Sequence, residues 1–434
     1  MEENILDNKI EIFALGIDFS NDFSQVSYMG ANYNEPTSLS TIKGDKRYLI
    51  PTVLYKKRQI NVWCVGDEAN QRSYDDDDDS QTLRDILKME ADYTTEIEGT
   101  SYSRSDIFDI YFQEVVGLAR KILNAGMIHE VVITLAQPDK SIIDSIYASM
   151  CKLGFERERI RVLSHSEAFV YYTLNQNKEV WTNDVALFDF NQDHFIYKRL
   201  NIIKNKNPNI INVIENDYSR FITYDMLAID ATKKKADLKF LEIITEEFRK
   251  HITSAVFLTG VGFYEDWTSK SLKELCSRRK VFKGYNLFVK GACYAAWKKY
   301  KSAKGFGSIF QCEGRTRCNI GLLIDHKGKN IVMLLSKAGT NWYEAGAKVE
   351  CIVDNVDSVQ LELNPVISNI SRTAIIGLES LPKRPNKTTR IQISIAYTSC
   401  NVCNIEIKDL GFGEFYPPSD VIIRETLDID SILL

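Results

Sequence analysis

The chain has 434 residues, 44% of them hydrophobic, which is enough for two or three domains with buried cores. A net charge of −5 and a sequence pI near 5.8 argue against a nucleic-acid surface. No apolar run is long enough to cross a membrane, the acidic start Met1-Glu2-Glu3-Asn4 is unlike a signal peptide, and nine scattered cysteines suit reduced thiols, so a cytoplasmic location is expected.

The stretch from Phe13 to Tyr28 reads as two strands joined by a polar turn, with Asp18 at the tip of an apolar run. A carboxylate there is costly unless a metal, water or hydrogen-bond donors meet it; otherwise it simply caps a surface hairpin. Lys46–Tyr55 and Ile60–Ala69 give another pair of strands. Asp75 to Asp79 lack the spaced ligands and turn glycine of a calcium loop and read as a solvated loop. Residues 81–92 are expected to be helical, with Arg84 and Lys88 one turn apart, and Ser105–Ala125 forms a longer helix ended by Gly126. Val131–Ala136 has the continuous apolar character of a strand buried on both faces. Helix 139–153, strand 160–163 and helix 167–175 follow, an alternation that implies a parallel or mixed sheet covered by helices.

The first pattern then returns. Val185–Asp189 is an apolar strand delivering an Asp to a polar turn, Phe190-Asn191-Gln192-Asp193-His194, before a second strand to Leu200. Residues 201–235 read as polar and irregular, and 238–252 as a helix. Ala255–Leu258 is a buried strand running into Gly260-Val261-Gly262, and helices are expected at 269–279 and 288–300. Near residue 305 the period changes from helical to alternating, as in Val359–Leu363 and Arg390–Ile395. Closely spaced strands of this kind indicate a β-sandwich, with a domain boundary at 303–318.

Ile50-Pro51-Thr52-Val53 and Val65-Gly66-Asp67-Glu68-Ala69 are similar to the Ile-Pro-Ser-x-Val and Val-Gly-x-x-Ala motifs of the seventy-kilodalton heat-shock chaperones, members of the actin-like ATPase superfamily. The two strand–Asp–turn–strand units, the segment Arg161–Tyr172, the helix carrying Gly291-Ala292 and the close at Lys408–Gly413 resemble the same family in order and spacing. The resemblance implies a two-lobed α/β actin-like ATPase fold over residues 10–304 and a β-sandwich like a chaperone substrate-binding domain over 318–425. It implies ATP or ADP with Mg²⁺ as cofactor, and a protein or peptide partner. Asp18 and Asp189 would hold the hydrated Mg²⁺ and, with Lys88 on the γ-phosphate, form the catalytic set. Gly16, Ser20, Asn21, Asn191, Gln192, Gly260 and Gly262 would surround the nucleotide.

The departures from the family bear on activity. Its first phosphate loop carries Gly-Thr-Thr after the Asp, and its second reads Asp-Leu-Gly-Gly-Gly-Thr, so that backbone N–H groups reach the phosphates. Here Ser20-Asn21-Asp22 and Phe190-Asn191-Gln192-Asp193 put side chains and two further acids in those places. His165 stands where the family has an acidic residue, and Glu167 compensates only if the register slips by two. Residues 201–252 are short for the lobe that covers the base. Lys88 reads rather as an exposed helix lysine, and the Asp pair reads either as ligands or as a retained turn geometry whose chemistry has lapsed.

Cys400 and Cys403, with Cys312 and Cys318, have metal-like spacing, but a strand puts the first two on opposite faces and no His is close, so no zinc is expected. The five histidines read as structural. The expected function is a chaperone-like protein-binding or scaffold module with a degenerate nucleotide cleft and little or no ATPase activity. The alternatives are a working ATP-dependent chaperone and, behind it, a small-molecule kinase of the same superfold. The tail after Ser419 is too short for a helical lid, which leaves an open peptide groove or one filled by the tail itself.

Overall fold

A computed structural model describes residues 11–40, 47–60, 62–75, 81–124, 126–302, 306–368 and 370–433. It is a mixed α/β protein with a strand-rich C-terminal region. Two units can be separated: residues 1–201 with 214–305, and residues 202–213 with 306–434. Among the described residues no helix is long and apolar enough to cross a membrane.

The first unit repeats one sheet plan. In the first sheet Ile12–Asp18 is central, with Phe23–Gly30 antiparallel on one side and Thr37–Ser38 beyond it. On its other side lie Met127–Leu135 and then Ile160–Ser164, both parallel. In the second sheet Asp184–Phe190 is central, with Phe195–Ile203 antiparallel and Asn209–Asp217 outside it. Thr253–Thr259 and Lys280–Lys283 run parallel on the other flank. Each central strand lies between two neighbours and is buried along nearly its whole length, which is why its sequence is continuously apolar up to the terminal Asp.

The segments that order by periodicity did so. Helices span Arg104–Leu123, Lys140–Lys152, His165–Leu174, Asp230–Phe248, Ser269–Cys276 and Leu287–Tyr300. Ser103 and Asp106 form a capping box at the first of these, and Ser164 and Glu167 form another at the third. Asp237, only 3% exposed, accepts from the backbone N–H groups of Lys270 and Ser271 and so caps Ser269–Cys276 from another helix. The second sheet is backed by an aromatic cluster in which Phe188, Phe190, Phe195, Phe240, Phe263 and Trp267 meet, half of the pairs edge to face and the rest stacked or tilted. Burying each such ring contributes about 1.5–3 kcal/mol.

Two expectations fail here. Residues 81–92 are not a helix: Thr82–Leu83 is a short strand, Asp85 adopts φ 51°, and Ile86–Lys88 makes a single 3₁₀ turn. Leu83, Ile86 and Leu87 have helical spacing, but Leu83 pairs in a strand with Leu54 and the left-handed Asp85 breaks the run. Residues 201–235 are not irregular either, since they contain strand Asn209–Asp217 and the first turn of Asp230–Phe248. Only Ile210, Ile211 and Val213 are buried there, too few to mark a strand in an otherwise polar stretch. Of the aspartate run, Asp75 ends helix Asp67–Asp75, and Asp76–Asp79 lie outside the described residues.

The second unit contains two four-stranded antiparallel sheets. One has the order Lys329–Ser336, Cys318–His326, Ser358–Pro365, Arg372–Gly377. The other has the order Gly346–Val353, Thr389–Tyr397, Val402–Gly411, Ile422–Asp428. Inward positions alternate along Thr389–Tyr397 (Ile391, Ile393, Ile395) and Val402–Gly411 (Cys403, Ile405, Ile407). The hydroxyls of Tyr397 and Ser336 meet at 3.0 Å from one sheet to the other. Asn209–Asn212, from the 202–213 segment, pairs in parallel with Ser308–Gln311 inside this unit. In the tail, Ile422–Asp428 is an edge strand hydrogen-bonded to Val402–Lys408.

Candidate functional site

The first unit holds a cavity of about 750 Å³ lined by residues from both of its sheets. Asp18 and Asp189 end the two central strands, and both line it. So do Ser20, Asn21, Lys88, Asn191 and Gly260. Gly16, Gln192 and Gly262 do not line it. A Cβ at Gly16 would lie 2.5 Å from the backbone N of Cys293, so that glycine lets helix Leu287–Tyr300 lie on the strand. Gly262 likewise makes room for the Phe190 ring, 2.3 Å from where its Cβ would be.

Each aspartate is met by a histidine. His165, the first residue of helix His165–Leu174, donates from Nε2 to Asp18 Oδ1 at 2.9 Å, and its ring stacks on Phe288 at 3.8 Å between centroids. His194 donates from Nε2 to Asp189 Oδ2 at 3.2 Å and from Nδ1 to Asp193 Oδ1 at 2.6 Å. Burial alone would lower the His194 pKa, but Asp189 and Asp193 overcome it and raise the value to about 10. The hydrogen bond from His194, first among the causes, holds Asp193 below the ordinary carboxylate value. Two of the five histidines therefore sit on the two aspartates, a placement that their scatter along the sequence did not disclose.

The turn after Asp189 satisfies itself. Asn191 Nδ2 donates to Asp189 Oδ1 at 2.8 Å, and Asn191 N donates to the His194 carbonyl. Asn191 Oδ1 accepts from the N–H of Val261 at 3.1 Å, so this donor of the glycine turn is already engaged. Gly260 has φ +94°, and its Cβ would lie 2.2 Å from the Phe190 carbonyl oxygen, which is why glycine stands there. Glu167 does not slip in register to replace the family's acid. It is fully buried and accepts from the N–H of Ser164 at 3.0 Å within the capping box.

Lys88 projects from the 3₁₀ turn and pairs with Asp85 at 2.8 Å. Arg84 turns instead to Asn70 and Ser73. Lys198, which sequence reading passed over, is 3% exposed and lines the cavity, donating to Ser166 Oγ at 3.0 Å and to Glu215. A lysine at an inward position of an antiparallel strand was the available signal, but it lay within an otherwise ordinary alternation.

Seven carboxylates line the cavity against two lysines and two histidines. Asp22 has its pKa raised, first by burial and then by Asp193, with Lys88 opposing. Among the described residues no cluster of three or more His, Cys, Asp or Glu has the arrangement of a metal site. In the second unit, burial pushes the Cys318 and Cys403 thiols up to about 12.

The arrangement defines a mixed α/β protein with a carboxylate–histidine cleft, followed by a strand-rich region. The chain belongs to the family described as "Family of unknown function (DUF5716) C-terminal", whose model matches residues 35–313. Residues 315–429 match a second model, "Domain of unknown function (DUF8552)". No curated protein matches the chain.

Proposed function

We propose that this chain is an actin-like protein related to the heat-shock chaperones, whose cleft does not turn over ATP and which acts as a protein-binding or scaffold module. The observation that carries the reading is the pairing of both hairpin aspartates with histidines of the same chain. A hydrated Mg²⁺ between these carboxylates would have to displace His165 and His194 and face the positive charge of the latter. Asp22 and Asp193 further oppose a triphosphate, and the Val261 N–H is spent on Asn191. The side chains present do not fit the Mg²⁺–ATP that the resemblance implies.

The recurrence of one strand order in both sheets of the first unit supports the actin-like assignment. The paired four-stranded sheets of the second unit support a chaperone-like β-sandwich, with edge strands open to an extended peptide. The test is ATP turnover together with thermal shift in Mg²⁺–ATP and Mg²⁺–ADP. A ligand at a hundred times its Kd adds about 2.7 kcal/mol of stability. No shift and no turnover are expected. Robust Mg²⁺-dependent hydrolysis that Asp18→Ala and Asp189→Ala abolish overturns the proposal.

A further inference from the structure

Four strands form the lateral edges of the two sheets in the second unit: Lys329–Ser336 and Arg372–Gly377 in one, Gly346–Val353 and Ile422–Asp428 in the other. A free edge invites pairing with another chain, and proteins blunt it with proline, bulges or shortness. Gly346–Val353 has none of these. It is eight residues long without proline, and its register against Thr389–Tyr397 runs unbroken from Gly346 opposite Ala396 to Val353 opposite Thr389. Its other side pairs with no described strand. Ala347, Val349 and Cys351 face inward opposite Ile395, Ile393 and Ile391, yet they stay half-buried while those three isoleucines are buried. The only charges on the strand, Lys348 and Glu350, are of opposite sign and share its outward face.

We infer that this edge pairs with the same edge of a second copy of the chain, antiparallel about a two-fold axis through Val349, so that two four-stranded sheets become one continuous sheet. In such an isologous contact the opposed residues share a face of the sheet, so they lie an even number of positions apart. Lys348 of each copy then faces Glu350 of the other. Ile352, 53% exposed, faces Gly346, where no side chain obstructs it. Among the described residues Lys348 has no acidic partner, and Glu350 has Arg390 at 3.7 Å, beyond hydrogen-bond reach. The other edges lack this complementarity. A two-fold axis through Met333 sets Lys329 against Lys337, and the opposite charges Arg424 and Glu425 are adjacent, so they point to opposite faces. Arg372–Gly377 carries a positive charge alone. The contact lies in the second unit and does not depend on whether the cleft turns over ATP.

The experiment is sedimentation of the full chain at concentrations from about 1 to about 200 µM. A dimer with Kd on the order of 10 µM is expected, because one strand edge buries less area than a standard interface. Lys348→Glu and Glu350→Lys each turn two attractive pairs into two repulsive ones and should weaken self-association about tenfold or more. Both side chains are exposed, so neither change disturbs the fold. An equimolar mixture of the two variants restores opposite charges at both positions and should dimerise as the wild type does, as should the double variant carrying both reversals. A chain that stays monomeric throughout overturns the inference, whether the edge then stands empty or takes another protein's strand. So does a dimer indifferent to both reversals, and so does a mixture no more associated than its components.

Discussion

The bridge made by His194 between Asp189 and Asp193 should give the first unit a pH-dependent share of its stability. The perturbation is His194→Gln, which keeps a donor but cannot carry the charge. A proton held from 6.5 up to about 10 is equivalent to roughly 5 kcal/mol at most. Part of that is returned because the variant no longer buries a cation, so a loss of about 3 kcal/mol is expected. The folded-state pKa is raised, so the contribution is complete below 6.5 and is lost as pH rises through about 10. Urea unfolding followed by tryptophan fluorescence reads this unit well, because Trp63, Trp181, Trp267 and Trp297 all lie in it. Wild type and variant should differ most below pH 6.5 and converge above pH 10. A difference of constant size across that window would refute the imidazolium bridge.

Gly291→Ala would set a Cβ 2.0 Å from the carbonyl oxygen of Ala168, where backbone cannot rotate aside, and should cost about 3 kcal/mol in the same unfolding assay. Arg384→Leu strands Asp409, whose carboxylate accepts two 2.7 Å bonds from that guanidinium, and should destabilise the second unit by about 3–5 kcal/mol, read by proteolysis of the strand-rich region. Burial opposes the Asp409 charge, but Arg384 and the N–H groups of Gly411 and Ser419 hold its pKa well below 3.8. That contribution should be present above pH 3.8 and fade as pH falls below it, giving the wild type an acid-unfolding step that Arg384→Leu lacks. Asp237→Ala uncaps Ser269–Cys276 and should cost about 1–2 kcal/mol, seen as faster amide exchange at Lys270 and Ser271.

The central strands and long helices were legible because burial on both faces, or on one helical face, writes a period into the residues. Phe13–Asp18, Val131–Leu135 and Val185–Asp189 are continuously apolar for that reason. Strand Asn209–Asp217 was not legible, since only Ile210, Ile211 and Val213 are buried and the rest meets solvent. For the site, the local pattern disclosed Asp18 and Asp189 as strand-end carboxylates. It did not disclose that His165, 147 positions from Asp18, would be the partner. The pairing of Asp189 with His194 was within reach of the sequence, five residues apart across one turn, but needed the turn to fold back on itself. Glycines misled for a physical reason: Gly16 and Gly262 answer to packing, whereas Gly260 alone of the three combines a positive φ with a place on the cavity wall.

The pairing of Asn209–Asn212 with Ser308–Gln311 has a consequence for the order in which a ribosome delivers the chain. The segment 202–213 emerges roughly a hundred residues before Ser308–Gln311, the strand on its outer side, and before either of the two sheets with which it groups. During that interval its outer row of N–H and C=O groups is an open template for any passing strand. Asn209, Asn212 and the basic residues Lys204 and Lys206 beside it limit such pairing, but only Ser308–Gln311 closes the row. Of two fragments released from the ribosome, one ending at residue 300 should therefore co-aggregate more than one ending at residue 320, which carries Ser308–Gln311.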